Sequence, residues 1–411
     1  MTAVLEQKPS SRASRSHAAP AFSPIRVVEH FQEMERWLPA WESLVRNALE
    51  PNVFHEPWML LPALRQFAAG KIIRLVLCFV PDVKRPFGDP LLVGLFPLEQ
   101  QRGYKGLPLK VIRIWHHEHS FLGTPLLHKR HAKESLNFFM NWLATDSRSG
   151  CLMEFPLLSA EGPVHQHLID HFQESDRLTL PDLCHTRALW RPRANGEAYI
   201  EAALAGKHRR DFKRLEKRLG ELGQLRYTEY TIEQDIGGWI QEFLELETRG
   251  WKGRGGSAIG LSREQMAFFA EAVRQADVRG QLLLSSLRLN DKSIAMKCSF
   301  RAGSGSFAYK IAFDEELARY SPGVLLEMDN IRRLHALPGL EWMDSCAIPD
   351  HSMINRLWLD RRTIVNLLIS TGRRPGDLAI SGLPLLRWIK RKISRCPDGS
   401  RPGTLEEESQ Q

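Results

Sequence analysis

Between Ser306 and Leu326 the chain reads SFAYKIAFDEELARYSPGVLL, a stretch whose residue types suit the seating of a phosphate. The alternating apolar run from Phe307 to Phe313 predicts a strand. Ser321-Pro322-Gly323 predicts the start of an amphipathic helix running from Val324 to Leu337. Ser321 has a side chain able to cap, Pro322 suits the first helical position because its missing N–H has no partner there, and Gly323 lets a ligand approach the backbone. Free amides at the positive end of the helix dipole would face a phosphate lying at the strand end. The same tripeptide also serves as plain helix punctuation, so its setting matters.

Three other clusters have chemical potential. In KHRRDFKRLEKRLGELG, Phe212, Leu215, Leu219 and Leu222 share one helical stripe, while Lys207, Arg210, Arg214 and Lys217 share another, which is either a solvated face or an anion-binding one. Gly250-Trp251-Lys252-Gly253-Arg254-Gly255-Gly256-Ser257 mixes glycines with cations and predicts a backbone cradle for an anion, although no Walker-type GKS or GKT follows. His116-His117-Glu118-His119 has metal-ligand residue types, but neighbouring histidines on a strand point to opposite faces, so a polar cleft rim or a solvated loop competes with a metal site. No metal is expected.

These clusters need elements to position them. A chain of 411 residues with 43% apolar content can bury the cores of two or three domains. Helices are expected at Phe31 to Ala48, Pro57 to Ala68, Ala132 to Ala144 and Pro163 to Phe172. Strands are expected at Ile72 to Val80, Leu91 to Glu99, Val111 to Trp115, Cys151 to Leu158 and His185 to Trp190. After a linker at Pro192 to Gly196 a similar order returns, with helices at 197 to 204, Ile236 to Thr248, 262 to 276 and Ser352 to Trp358. Its strands are expected at Gln281 to Leu289, Ser293 to Arg301, Ser304 to Phe313, Glu341 to Ala347 and Arg361 to Ser370. The repeated order suggests a tandem duplication: a disordered leader 1–24, an N-terminal unit 25–192, a C-terminal unit 193–372 and a basic, partly disordered tail 373–411.

The six cysteines are scattered without a CxxC pair and read as reduced thiols. No run of 18 uncharged apolar residues predicts a membrane span, and the N-terminus lacks a signal-peptide centre, so a cytoplasmic location is the simplest expectation, with an organellar transit peptide as the alternative reading of the leader. The formal charge of +8 attracts anions without choosing among nucleic acid, acidic lipid and a polyphosphate cofactor. Around Leu385, Leu386, Trp388 and Ile389 the tail carries Arg387, Lys390, Arg391, Lys392 and Arg395, a short basic amphipathic helix suited to peripheral membrane contact or to packing.

The order of the second half resembles the GNAT acyltransferase fold and, more narrowly, the CelD-like family associated with cellulose biosynthesis and related to Fem-type tandem enzymes. The resemblance rests on Lys207-His208-Arg209-Arg210-Asp211, Trp251-Lys252-Gly253, Ile294-Ala295, Tyr309, Tyr320-Ser321-Pro322-Gly323 and Asp344. In the first half it rests on Trp41, Asn52, Phe54, Trp58 and Leu122-Gly123-Thr124-Pro125-Leu126. Ser352 to Trp358 keeps the family's tryptophan but not the Tyr-Lys pair before it. The resemblance implies two tandem GNAT-like mixed α/β domains around a central cleft, and an N-acyltransferase that moves an acyl group from acetyl-CoA or a longer acyl-CoA to an amine.

By the same resemblance, Ser321, Pro322, Gly323 and Val324 would hold the donor's pyrophosphate, with Ala308 and Lys310 on the strand beside the thioester. Arg209, Arg210, Trp251 and Lys252 would add anion or substrate contacts. Asp344 or His351, with Asp350 near it, is the candidate base, and Tyr309 and Tyr320 are candidate acids toward the leaving thiolate; Asp344 reads equally as a strand-end aspartate that orients Tyr309, Lys310 or Arg361, and either tyrosine as a core ring with a satisfied hydroxyl. The acceptor would be a small molecule, a sugar or a cell-envelope precursor, and no specific nucleic acid is expected. Two alternatives stand beside this: an aminoacyl-tRNA-dependent Fem-like transferase using the cationic helix, and a non-catalytic basic scaffold. The first half lacks a Ser-Pro-Gly helix start after its third strand, so it is expected to wall the acceptor cleft.

Overall fold

The computed structural model describes residues 22–82, 89–231 and 235–393. Nearly all of the expected leader and the end of the basic tail lie outside these residues. The first half comprises β1 (Ile25–Val28), α1 (Leu38–Arg46), α2 (Pro57–Phe67), β2 (Ile72–Val80), β3 (Leu91–Tyr104), β4 (Leu107–Ile114), β5 (Leu126–Leu127), α3 (Ala132–Thr145), β6 (Leu152–Ser159), α4 (Pro163–Glu174) and β7 (Thr179–Trp190). The second half continues through α5 (Gly196–Ala203), α6 (Gly206–Gly220), β8 (Leu225–Glu229), α7 (Ile236–Arg249), α8 (Trp251–Arg254), α9 (Arg263–Val278), β9 (Leu282–Leu289), β10 (Lys292–Ala302) and β11 (Gly305–Phe313). It closes with α10 (Pro322–Ala336), β12 (Trp342–Asp344), α11 (Ser352–Leu357), β13 (Asp360–Ser370) and α12 (Arg374–Ile393).

All of these strands join one mixed sheet in the order β1-β2-β3-β4-β6-β13-β7-β12-β11-β10-β9-β8, with β5 paired to β3 off that path. The order is pseudo-symmetric about its centre. Each half contributes an antiparallel meander, then a parallel pair, β4 with β6 and β11 with β12. The last strand of each half then crosses over: β13 pairs with β6, and β7 pairs with β12. A division of the chain at residue 192 therefore does not divide the sheet.

Alternation along β2 shows how the layers form. Leu75, Leu77 and Phe79 enter one core with α1, α2, α7 and α9, while Val76, Cys78 and Val80 enter another with α3 and α4. The first of these cores runs through both halves, since it also takes Met296, Cys298 and Phe300 of β10. A third core, on the opposite face of the second half, gathers residues of α5, α6, α10 and α11.

Two local expectations are corrected, and the helix expected in the tail is longer than its basic stretch. The segment expected as one helix from Phe31 to Ala48 is a 3-10 turn at Phe31–Trp37 followed by α1, because Pro39 has no N–H to continue a helix and instead begins one. The short strand β8 was not anticipated from LRYTE, whose side chains are half-buried or exposed at the sheet edge. The tail is helical from Arg374 to Ile393, with Ile380 and Leu383 packed on Leu152 and Leu368.

Candidate functional site

The site begins where β11 leaves β12. Their parallel ladder pairs only Gly305 to Phe307 with Trp342 to Asp344, yet β11 continues to Phe313. Its far side stays paired with β10, where Cys298 faces Lys310 and Ser299 faces Ala308, so Tyr309 is the extra residue of a β-bulge. The two strands thus splay, and the edge of β11 beyond Phe307 has no strand partner among the described residues. In the first half β4 ends at Ile114, one residue past its last partnered position, Arg113, so no comparable open edge forms there.

A cavity of about 400 Å³ occupies the splay. Its walls are Leu246, Glu247 and Lys252, then Ile311 to Phe313 of β11, the start of α10 from Ser321 to Val324, and His351 to Met353. The cavity is lined entirely by second-half residues. Lys252 Nζ bridges its rim, donating to Glu247 Oε1 at 2.9 Å and to the Ile311 carbonyl at 3.2 Å. The other Glu247 oxygen accepts from the Ile259 amide at 2.9 Å. Glu247 was missed from the sequence because it sits among other glutamates of an amphipathic helix, with nothing local to mark it as the buried one.

At the helix start the backbone differs from the expectation. Ser321 is left-handed, with φ 54° and ψ 50°, and its side chain makes no capping hydrogen bond. Its amide donates to Ala318 O, and the Val324 amide donates to Ser321 O. Of the three amides expected to face a phosphate, only that of Gly323 has no such backbone partner among the described residues. A Cβ on Gly323 would lie 3.4 Å from Phe313 and 3.6 Å from Met353 Sδ, within ordinary contact, so this residue lines the cavity without being pressed by its surroundings.

The glycine-rich stretch is likewise different. Trp251–Arg254 is a helical turn in which the Gly253 and Arg254 amides donate to Gly250 O, so these amides do not form an anion cradle. The close approach of Gly253 to Thr248 O, 1.7 Å from where a Cβ would stand, requires glycine there. The side chain of Trp251 lies outside the described ones.

Asp344 does not line the cavity. It is fully buried, with Oδ2 accepting from Arg187 Nη2 and Arg362 Nη1 at 2.7 Å each and Oδ1 accepting from the Cys346 amide at 2.9 Å. Burial alone would raise its pKa, but the two guanidiniums hold it below the usual carboxylate value. A carboxylate so held is a poor proton acceptor, and this geometry gives Asp344 a structural part. It ties β12 to β7 and β13, and through Arg187 Nη1 to Phe121 O of the first half.

His351 does line the cavity. Its Nδ1 accepts from the Ile354 amide at 3.4 Å, capping α11, and burial lowers its pKa. In that tautomer Nε2 carries the proton, so the ring offers a hydrogen-bond donor, and acting as a base would require release of the cap. Asp350 beside it is exposed. Tyr309 is buried and its hydroxyl meets His119 Nδ1 at 2.7 Å; burial pushes the phenol well above its ordinary pKa. Tyr320 is half-buried under the Arg319 guanidinium, off the cavity wall. Ala308 and Lys310 also lie off that wall. Arg209 pairs with Glu201, and Arg210 is exposed on α6, which packs against the 3-10 turn Glu315–Tyr320 before Ser321.

The histidine cluster belongs to the seam between the halves. His117 stacks on Phe67, and its Nδ1 accepts from the His119 amide at 3.3 Å. Among the described residues no group of His, Cys, Asp or Glu is arranged to hold a metal.

These features coincide with a known domain. Residues 206–351 match the family model for an acetyltransferase (GNAT) domain. The match contains β11, the Ser321 junction, β12 and every residue lining the cavity except Ser352 and Met353. The fold of the whole chain is similar to a conserved protein of unknown function from Bacteroides thetaiotaomicron VPI-5482, at 11% identity and a TM-score of 0.51, covering 84% of this chain and 99% of that one. It is similar also to FemX, at 11% identity and a TM-score of 0.51, covering 86% of this chain and 98% of that one. At such identity the likeness is one of fold. A comparison with curated proteins found no match.

Proposed function

We propose that the protein is an acyl-CoA-dependent N-acyltransferase whose donor site is the cavity between β11 and the start of α10. The observation that carries this reading is the unpaired edge of β11, leading along the cavity to the Gly323 amide, within a region that matches a GNAT domain. Pantetheine amides would pair with that edge as an added strand, and the pyrophosphate would meet the Gly323 amide at the positive end of α10. An acceptor amine then attacks the thioester carbon. The C–N bond forms, the C–S bond breaks, and the proton lost by the amine reaches the leaving thiolate. In this reading His351 Nε2–H is placed to donate toward the donor, and Lys252 supplies positive charge where the oxyanion develops.

The test is release of free thiol from acetyl-CoA and longer acyl-CoAs in the presence of amine panels drawn from amino acids, amino sugars and lipid precursors. Acyl-CoA binding with no competition by CoA would count against the reading. The narrower CelD-like relationship, a role in envelope polysaccharide synthesis and a cytoplasmic setting are parts of the same proposal.

A second reading keeps the fold and changes the donor to an aminoacyl-tRNA. It is supported by the exposed cationic residues of α6, which packs against the turn at the cavity mouth. Its signature would be steep salt dependence of RNA binding, with the affinity loss set by the number of phosphates contacted.

A further inference from the structure

Among the described residues of this region, Lys310 is a cation without an ion-pair partner. Lys252 is paired with Glu247, Lys297 with Glu327, and Arg187 and Arg362 share Asp344. Lys310, by contrast, is half-buried and has no carboxylate within ion-pair distance among the described residues. Its ammonium lies 5.9 Å from the ring centre of Phe121 and 5.7 Å from that of Tyr309. The acids that act on it from further away are engaged elsewhere: Glu118 accepts from Gln265 at 2.8 Å, and Glu247 accepts from Lys252 and Ile259.

Lys310 follows the bulged Tyr309 and adjoins the donor cavity, whose wall begins one residue later at Ile311 and includes Lys252 and Glu247, two of the charges acting on it. It points toward the first-half loop carrying Glu118 and Phe121, at the inner end of the splay. A half-buried ammonium facing aromatic rings, without a counter-charge, is held at a desolvation penalty that a bound anion would offset. Burial and the neighbouring Lys252 lower its pKa, as expected for a cation without a partner.

We infer that Lys310 is an acceptor subsite that receives an anionic group, a carboxylate or a phosphate, carried on the same small molecule as the reacting amine. Its part in holding an acceptor rests on the transfer reading; its binding of an anion does not. The substrates so selected are amino acids or aminoalkyl phosphates, in preference to neutral amines such as an unmodified amino sugar. An anion seated there lies against β11 beside Tyr309 and next to the donor cavity, within reach of the thioester end.

The test uses the full chain with its lysines reductively methylated with 13C-formaldehyde, which keeps the positive charge. The Lys310 resonance is assigned by its absence in Lys310→Arg. Sodium acetate and inorganic phosphate are the probes, against sodium chloride at matched ionic strength. A saturable shift of the Lys310 resonance, with its titration midpoint moving upward, is expected with at least one probe. Acetate alone would indicate an amino-acid acceptor, and phosphate alone an aminoalkyl phosphate. No saturable shift with either would overturn the proposal. In parallel, Lys310→Met should bind acetyl-CoA as the wild type does. Loss of that binding in a folded variant would place Lys310 in the donor site and also overturn it. Failure of the wild type to bind acetyl-CoA would remove the transfer reading while leaving the anion titration decisive.

Discussion

The hydroxyl of Tyr309 lies 2.7 Å from Nδ1 of His119, joining the bulge of β11 to the histidine loop of the first half. Burial holds the His119 pKa down to about 3, so the ring stays neutral and shares one hydrogen bond with the phenol. Tyr309→Phe is expected to lower stability by about 1 kcal/mol, the net worth of one hydrogen bond, and to leave acetyl-CoA affinity unchanged. Urea unfolding checks the first effect and calorimetric titration the second. A large loss of turnover at unchanged stability would instead restore the phenol as an acid.

Asp344 held between two arginines predicts a strongly destabilised Asp344→Asn variant. Removing one member of a buried ion cluster leaves its partners uncompensated, at a loss of about 3–5 kcal/mol. The pKa of Asp344 is depressed in the fold, so its stabilisation is present above the ordinary carboxylate value and is lost as pH falls through the lower folded value. The variant should therefore lose part of the wild type's acid-limb slope in a plot of unfolding free energy against pH. A variant as stable as the wild type would show that Asp344 has no such part.

Glu50 has the opposite sign. Its carboxylate is buried near the start of α4, beside the Val164 amide and in the field of Arg362, and burial outweighs both and raises its pKa to about 7. The protonated form is the one the fold tolerates, so stability is fully present below the unfolded value and declines as pH rises toward 7. Glu50→Gln is expected to gain roughly 3–4 kcal/mol at pH 8 and nothing at pH 4, because each pH unit separating the folded and unfolded titrations is worth about 1.4 kcal/mol. Equal melting temperatures at pH 8 would contradict this.

Ser321 carries left-handed strain that glycine would relieve. Ser321→Gly is expected to raise stability by about 1 kcal/mol. If its hydroxyl also touches the donor, acyl-CoA affinity falls in the same variant, so melting temperature and dissociation constant report separately on backbone and side chain.

Much of the architecture was legible because it is periodic. The expected strand Ile72 to Val80 and the strand Phe307 to Phe313 followed by a helix at Pro322 all formed, as alternating apolar runs and helix-start chemistry are local signals. The crossing of β7 and β13 was not legible, since which strand pairs with which is decided by residues far apart, as in Leu189 with Asp344. The same limit applies to the site. Asp344 resembled a strand-end base, and only Arg187 and Arg362, 157 and 18 residues away, show it to be enclosed. The glycines after Arg249 suggested a cradle, but Gly253 serves a helix turn packed on Thr248.

The most direct measurement is isothermal titration of acetyl-CoA and longer acyl-CoAs into wild type, Gly323→Ala and Gly323→Trp, with folding confirmed by circular dichroism. A Cβ at this position meets only ordinary contacts, so alanine is expected to bind within a fewfold of wild type, whereas an indole would fill the cavity at the start of α10. Saturable binding by wild type and alanine, abolished in a folded tryptophan variant, is the expected result. Undiminished binding by the tryptophan variant, or none by the folded wild type, would contradict a donor site at Gly323.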